Sequence, residues 1–414
     1  MIERVAGSGT GSKRDQRRGD ERAPRRGPFP CLDAYRAIGM VMILAFHAYF
    51  YSLAHKKGIF GPLLARFDVA LPFFFVLSGF LLFRPYVDAL FAERTPISAS
   101  RFLGNRALRI FPAWWFALIG AVVLFHVRFH SVGEFFTFAF LLQIYRSAKV
   151  FDPRFQPIYQ SWSLATEIGF YVLLPVLAWV LRRTLTGRDE RTKIVSLVAV
   201  VAGFYVAGTA FRAAIVTVKP GWQKAAALAV PSWLDIFAIG MALAVASVWH
   251  ARTGRQLRVL DYLSRHLLVS WGLAAVFFWI STRFSPPKQP LVFHGREYVA
   301  RYFLYGVVAF FFLLPAMIGD QRVGRVRAVL SSRVMVLLGT VSLGFYLFHV
   351  GFLGKAQSWT GAAAFQASFV KEIAIALPLT LVAATVSYVV VERPTLRLKS
   401  WRRRRTSRVG EVTA

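Results

Sequence analysis

Residues 32–50 read LDAYRAIGMVMILAFHAYF. This stretch is apolar apart from Asp33, Arg36 and His47, and it has the length a helix needs to cross the hydrocarbon core of a bilayer. Nine more stretches have that character, at about 69–90, 108–126, 162–181, 193–214, 230–249, 266–284, 298–319, 334–354 and 371–391. With 32–52 they predict an all-α, polytopic membrane bundle of about ten transmembrane helices. The apolar segment EFFTFAFLLQIY, at 134–145, is too short to span and reads as an interfacial or re-entrant helix. Composition agrees: 56% of the 414 residues are hydrophobic and 17% charged, too apolar for an ordinary soluble chain. A lone cysteine, Cys31, rules out an intrachain disulfide framework and a Cys-rich metal site.

The 51 Lys and Arg against 20 Asp and Glu would point to nucleic acid in a soluble chain, but here they follow the spans. With the N-terminus inside, the inner segments hold 34 basic residues and the outer segments 16. This is the positive-inside pattern, and it places both termini in the cytoplasm. The run Arg402–Arg405 after the last span suits anionic lipid headgroups. The basic excess therefore reports topology and membrane lipid, and no nucleic acid is expected as a partner. Residues 1–31 read as a disordered basic cytoplasmic tail without a signal peptide, 32–392 as the membrane domain and 393–414 as a second basic tail.

Ionisable groups inside a membrane are costly and mark function by default. Arg36 and His47 are eleven residues apart, so they share one helix face about 16 Å apart along the axis. Counting 1.5 Å per residue from the expected span ends puts His47, Glu167, Asp235 and His349 at one depth in the outer third. A histidine beside a carboxylate is what general-base catalysis on a hydroxyl needs. At the inner end Arg36, Arg84, Arg106 and Arg109 form a guanidinium cluster suited to phosphate. The two layers fit an acyl-CoA, with phosphates at the arginines and a thioester drawn up to the histidine. Plainer readings stand beside these. Arg36 can be a snorkelling anchor, the other arginines topology signals, and His47 a packing histidine. Ser78 suits close packing better than nucleophilic attack. Tyr346, one turn before His349, can orient it or bind substrate. Asp33 reads as a helix N-cap, Glu392 as the partner of a nearby Arg, and Trp114, Trp115 and Trp162 as interface residues. The other histidines show no metal-ligand spacing, so no bound metal or resident cofactor is expected.

Six strings in order, LDAYRAIGMVMILAFHA, FFFVLSGFLL, NRALRIFPAWW, SWSLATEIGFYVLLP, LGTVSLGFYLFHV and VVVERPTLRL, resemble the acyltransferase-3 family of integral-membrane O-acyltransferases. The resemblance covers residues 30–400 and departs from the family pattern at Asn105, Ile168 and Val350-Gly351. It implies a ten-helix bundle that passes an acyl group, usually acetyl from acetyl-CoA, to a hydroxyl. It implies His47 as the catalytic histidine with Arg36 its motif partner, Arg106 and Arg109 as the basic motif, and Glu167 as the carboxylate of the Trp-Ser-Leu motif. It also implies the stand-alone form without an added esterase-like domain. The expected acceptor is a cell-envelope glycan or lipid-linked sugar, with a small molecule such as a macrolide as the alternative. The expected site is a bacterial cytoplasmic membrane. The rival class is a secondary transporter or flippase of a glycan, for which buried His, Glu and Asp also suit, but no inverted repeat is visible.

Overall fold

The computed structural model describes residues 29–52, 60–146, 153–217, 220–254, 257–284, 295–321, 323–363 and 366–397. Most of both expected tails lies outside these. Among the described residues the chain is helical throughout, with one isolated β-bridge. The principal helices are α1 (Leu32–Tyr51), α2 (Ala70–Phe91), α3 (Ala99–Phe125), α4 (Val132–Ala139), α5 (Trp162–Leu185), α6 (Glu190–Ile215), α7 (Leu234–Thr253), α8 (Arg258–Arg265), α9 (Leu267–Ser281), α10 (Gly295–Met317), α11 (Arg333–Thr340), α12 (Ser342–Trp359) and α13 (Phe369–Ser387). Among the described residues eight helices are long and apolar enough to cross a membrane. Two bent pairs, α8 with α9 at 96° and α11 with α12 at 63°, bring the number to ten if each is one span. The protein is thus a polytopic all-α bundle.

Helix ends follow local chemistry. Asp189 caps α6 by accepting from the Thr192 hydroxyl at 2.6 Å and the Thr192 amide at 2.7 Å, and those hydrogen bonds hold its carboxyl below the usual range. Gly254 ends α7 in the left-handed conformation, at φ 63°, which glycine adopts without steric cost. Asp33 is not the cap expected of it. Helix α1 already begins at Leu32 with Cys31 in the cap position, so Asp33 falls inside the first turn and its carboxylate takes the Arg36 guanidinium at 2.6 Å.

Helices α2 and α7 form the central contact, and glycine sets how close they come. A Cβ on Gly240 would lie 2.1 Å from the Val76 carbonyl oxygen, and one on Gly79 would lie 2.3 Å from that of Phe237. Backbones approach this closely only where side chains are absent. Gly79 makes the close packing contact, while its neighbour Ser78, expected to pack, turns instead to a cavity. Around this pair α1 packs on α2, α11, α12 and α13, while α9 packs on α10. Outer faces carry exposed apolar residues such as Val172, Val176 and Trp179 on α5 and Val195, Val198 and Val206 on α6. Such surfaces are costly in water and suited to lipid.

The short apolar segment after α3 folds back as α4. The indole N–H groups of Trp114 and Trp115 donate to the carbonyls of Phe138 and Ala139, each at 2.9 Å. Trp114 is fully buried rather than on the outer surface, because α4 covers it; Trp115 is exposed. Trp162 is half-buried against Trp233, at 5.6 Å between ring centroids.

The glycine contact makes a direct prediction. Gly240→Leu should lower stability by about 1–3 kcal/mol or more through overpacking, read as a lower melting temperature in detergent. Gly104→Leu, where a Cβ meets nothing within 4 Å, should leave the melting temperature near wild type.

Candidate active site

Helix α1 carries both Arg36 and His47, and the structure gives each a different set of neighbours. His47 Nδ1 lies 2.8 Å from His349 Nε2 on α12. His349 Nδ1 lies 2.7 Å from the backbone carbonyl oxygen of Tyr346. Both rings are shut off from solvent, His47 at 4% exposure and His349 at 0%. The Tyr346 hydroxyl is 2.7 Å from Ser163 Oγ and donates to the Gln160 carbonyl at 2.8 Å. In return the Gln160 amide donates to the carbonyls of Leu347 and Tyr346, at 2.9 and 3.3 Å. Residues 153–161, just before α5, thereby clamp the turn of α12 that holds His349.

Arg36 opens instead onto a cavity of about 340 Å³, lined also by Ser78, Arg106, Arg109, Glu167 and Tyr171. Phe74, Ser163 and Tyr346 line it too, so the cavity reaches the tyrosine below His349 while neither histidine lines it. The Ser78 hydroxyl donates to Glu167 Oε1 in a short hydrogen bond. The Arg106 guanidinium stands over the Phe102 ring at 5.8 Å, and its buried Nε has no hydrogen-bond partner among the described residues. Three guanidiniums line this space with one carboxylate, Glu167.

The single layer expected of His47, Glu167, Asp235 and His349 is therefore divided in three. His47 and His349 meet. Glu167 belongs with the arginines and Ser78, so the ring partner of His47 is an imidazole rather than this carboxylate. Depth counting groups Glu167 with His47 because it carries no information on which helix faces meet: Glu167 faces the arginine cavity, whereas His47 faces α12. Asp235 lies elsewhere, in a buried ion pair with Arg212 at 2.8 Å, and Arg212 also stands 4.2 Å over the Tyr302 ring.

Arg84 does not line the cavity. It lies six residues beyond Ser78, about 240° round the helix, and its Nε donates to Ser247 Oγ on α7 at 3.3 Å with Phe29 below the guanidinium at 5.1 Å. Glu392 accepts from Ser387 at 3.5 Å and lies within electrostatic reach of Arg109. Among the described residues no three of His, Cys, Asp and Glu are placed to hold a metal ion; His55 and His294 lie outside them.

Sequence reasoning passed over Gln160, Ser163, Tyr171 and Arg212. Ser163 and Tyr171 sit four residues before and after Glu167, so the same helical face carries all three, a signal that was available. Arg212 could be sought as the partner of Asp235, since the two lie at the facing ends of consecutive antiparallel spans. Gln160 precedes its span and no periodicity marks it.

Comparison with known proteins places this arrangement. The profile of a family described as an acyltransferase domain, acyltransferase-3, matches residues 29–392. The chain is 23% identical over 378 residues to "Putative peptidoglycan O-acetyltransferase YrhL" of Bacillus subtilis, covering 88% of this chain and 54% of that protein. It is 23% identical over 336 residues to "Peptidoglycan O-acetyltransferase OatA" of Listeria monocytogenes, covering 77% and 48%. The chain spans about half the length of these curated relatives. No solved structure matches it. The family match runs through every helix from α1 to α13 and takes in both the histidine pair and the arginine cavity: the chain belongs to the acyltransferase-3 family.

Proposed function

We propose that this protein is an integral-membrane O-acyltransferase that moves an acyl group, acetyl in the first instance, from acyl-CoA to a hydroxyl of a cell-envelope glycan. Family membership supports the transfer chemistry, and the relatives' names support acetyl as the group and peptidoglycan as the acceptor class. The observation that carries the reading is the pairing of two sites on one helix. Arg36 faces the cavity with Arg106 and Arg109, and His47 lies eleven residues further along α1, about 16 Å away. Coenzyme A has that form: phosphates, a thin arm, and a reactive thioester at its tip.

In this reading the three guanidiniums hold the phosphates by charge-assisted, partly bidentate bonds. The unpartnered Nε of Arg106 is a donor left for an anion. The arm runs past Tyr346 and Phe74 toward the histidine pair. His47 takes the proton of the acceptor hydroxyl as its oxygen attacks the thioester carbonyl. The C–S bond breaks, and the proton is delivered to the departing sulfur, giving the O-acyl ester and free CoA. The basic residues concentrated in one set of connecting segments support cytoplasmic termini and donor entry from that side. The acceptor then approaches the opposite side, nearer His47.

Membranes that contain the wild-type protein should transfer label from radiolabelled acetyl-CoA to the extracted envelope-glycan fraction, and membranes with His47→Ala should not. Label in neither the glycan nor the small-alcohol fraction, with well-expressed wild type, would remove acetyl-CoA as donor; label with His47→Ala would remove His47 as the base.

Arg106→Ala and Arg109→Ala should each raise the KM for acyl-CoA about tenfold or more, since a hydrogen bond to a charged group contributes about 1.5–3 kcal/mol. Values of kcat should fall less than KM rises. Steady-state kinetics across donor concentrations checks this, and an unchanged KM excludes these arginines from donor binding.

A further inference from the structure

We propose that His349 is a positioning residue that fixes the tautomer of His47, and that this tautomer is set by the backbone carbonyl of Tyr346. The inference rests on the reading of His47 as the base and concerns how a base is made here without a carboxylate on its ring.

The chain of hydrogen bonds starts at the Tyr346 carbonyl. A carbonyl oxygen only accepts, so at 2.7 Å from the Tyr346 carbonyl His349 Nδ1 must carry a hydrogen. A neutral His349 then has a lone pair on Nε2. His47 Nδ1, 2.8 Å from that nitrogen, must be the donor. This leaves His47 Nε2 unprotonated, with its lone pair free to take a proton. The alternative assignment, with His349 donating from both nitrogens, makes His349 a cation. A buried imidazolium among apolar residues and without a bonded carboxylate is costly inside a membrane.

The carbonyl at the root of this chain is itself held. Gln160 donates to it and to the carbonyl of Leu347, and the Tyr346 hydroxyl returns to Gln160. His349 also stacks on Phe345, at 6.3 Å and 9° between rings. Its orientation is thus set from both sides before any substrate arrives. Proton movement balances along the same line. When the acceptor O–H bond breaks, the proton joins His47 Nε2. The Nδ1 proton of His47 can pass to His349 Nε2, so the positive charge is shared by two rings. The transfer reverses as the proton goes to the CoA sulfur. A packing pair alone would need none of this order of donors and acceptors.

Two readouts test it. Solid-state nitrogen spectra of ¹⁵N-histidine-labelled protein in lipid vesicles at neutral pH, with the His47 signals assigned by their loss in His47→Asn, should show Nδ1 protonated and Nε2 bare. In His349→Leu the His47 ring should become a mixture of tautomers. In kinetics, His349→Leu should lower kcat about a hundredfold or more, the lower end of what a positioned general base contributes, with the donor KM unchanged. His349→Glu, which restores an acceptor for His47 Nδ1–H, should recover about tenfold or more of that loss. A His47 protonated on Nε2 in the wild type overturns the proposal, as does an unchanged kcat in His349→Leu. Absence of transfer by the wild type falls on the functional reading instead, and the nitrogen spectra still decide the tautomer.

Discussion

A polar or charged side chain inside a bilayer must find its partners within the protein, because hydrocarbon supplies none. This constraint orders the bundle. Asp235 is paired with Arg212, Glu167 takes the Ser78 hydroxyl, and His47 is joined to His349. Each pair joins two different helices, so each also fixes how those helices meet. Breaking one partner of such a buried ion pair costs more than the pair contributes, since the other charge is left uncompensated.

The pairs can form only because the backbones come close enough. Gly79 and Gly240 let α2 and α7 meet without intervening side chains. Gly39 does the same for α1 against the Phe74 ring, whose atoms lie 3.1 Å from where its Cβ would be. With α2 drawn against α7 on one face, Ser78 on the other face looks into the cavity with Arg36 and Glu167. Packing by the smallest residue thus sets the position of the polar ones.

Much of the fold was legible because length and apolarity are local properties of a span. Ten stretches were readable, and the two that bend do so where polar or small residues interrupt them, at His266 and around Val341. The site was legible as a set of residues and less so as a geometry. Arg36, Arg106, Arg109 and Glu167 could be named from charge in apolar surroundings, and the structure brings them to one cavity. Depth counting could not separate Glu167 from His47, since it says nothing of which helix faces meet. Asp235 and Arg212 sit at the facing ends of consecutive spans, yet a charge in one span does not by itself name its partner in the next. Arg84 shows the opposite error: it has the right charge near the right end, on a face turned to Ser247.

The separation of the arginine cavity from the histidine pair bears on how a transfer across a membrane protein can be organised. Where donor charge and reacting atoms share one pocket, the whole coenzyme must enter it. Here the cavity stops at Tyr346 and Phe74, and the histidines lie beyond. A polyanion can be held at one level while only a thin neutral arm continues to the next. In the proposed transfer, apolar residues between the levels would keep charge and water from the thioester. Tyr346 belongs to both levels: its ring closes the cavity, and its backbone carbonyl takes the His349 N–H. In the proposed transfer a thioester passing that ring would meet an imidazole pair whose hydrogen bonds are anchored in the same turn of helix, so binding of the arm and orientation of the base would depend on one structural element.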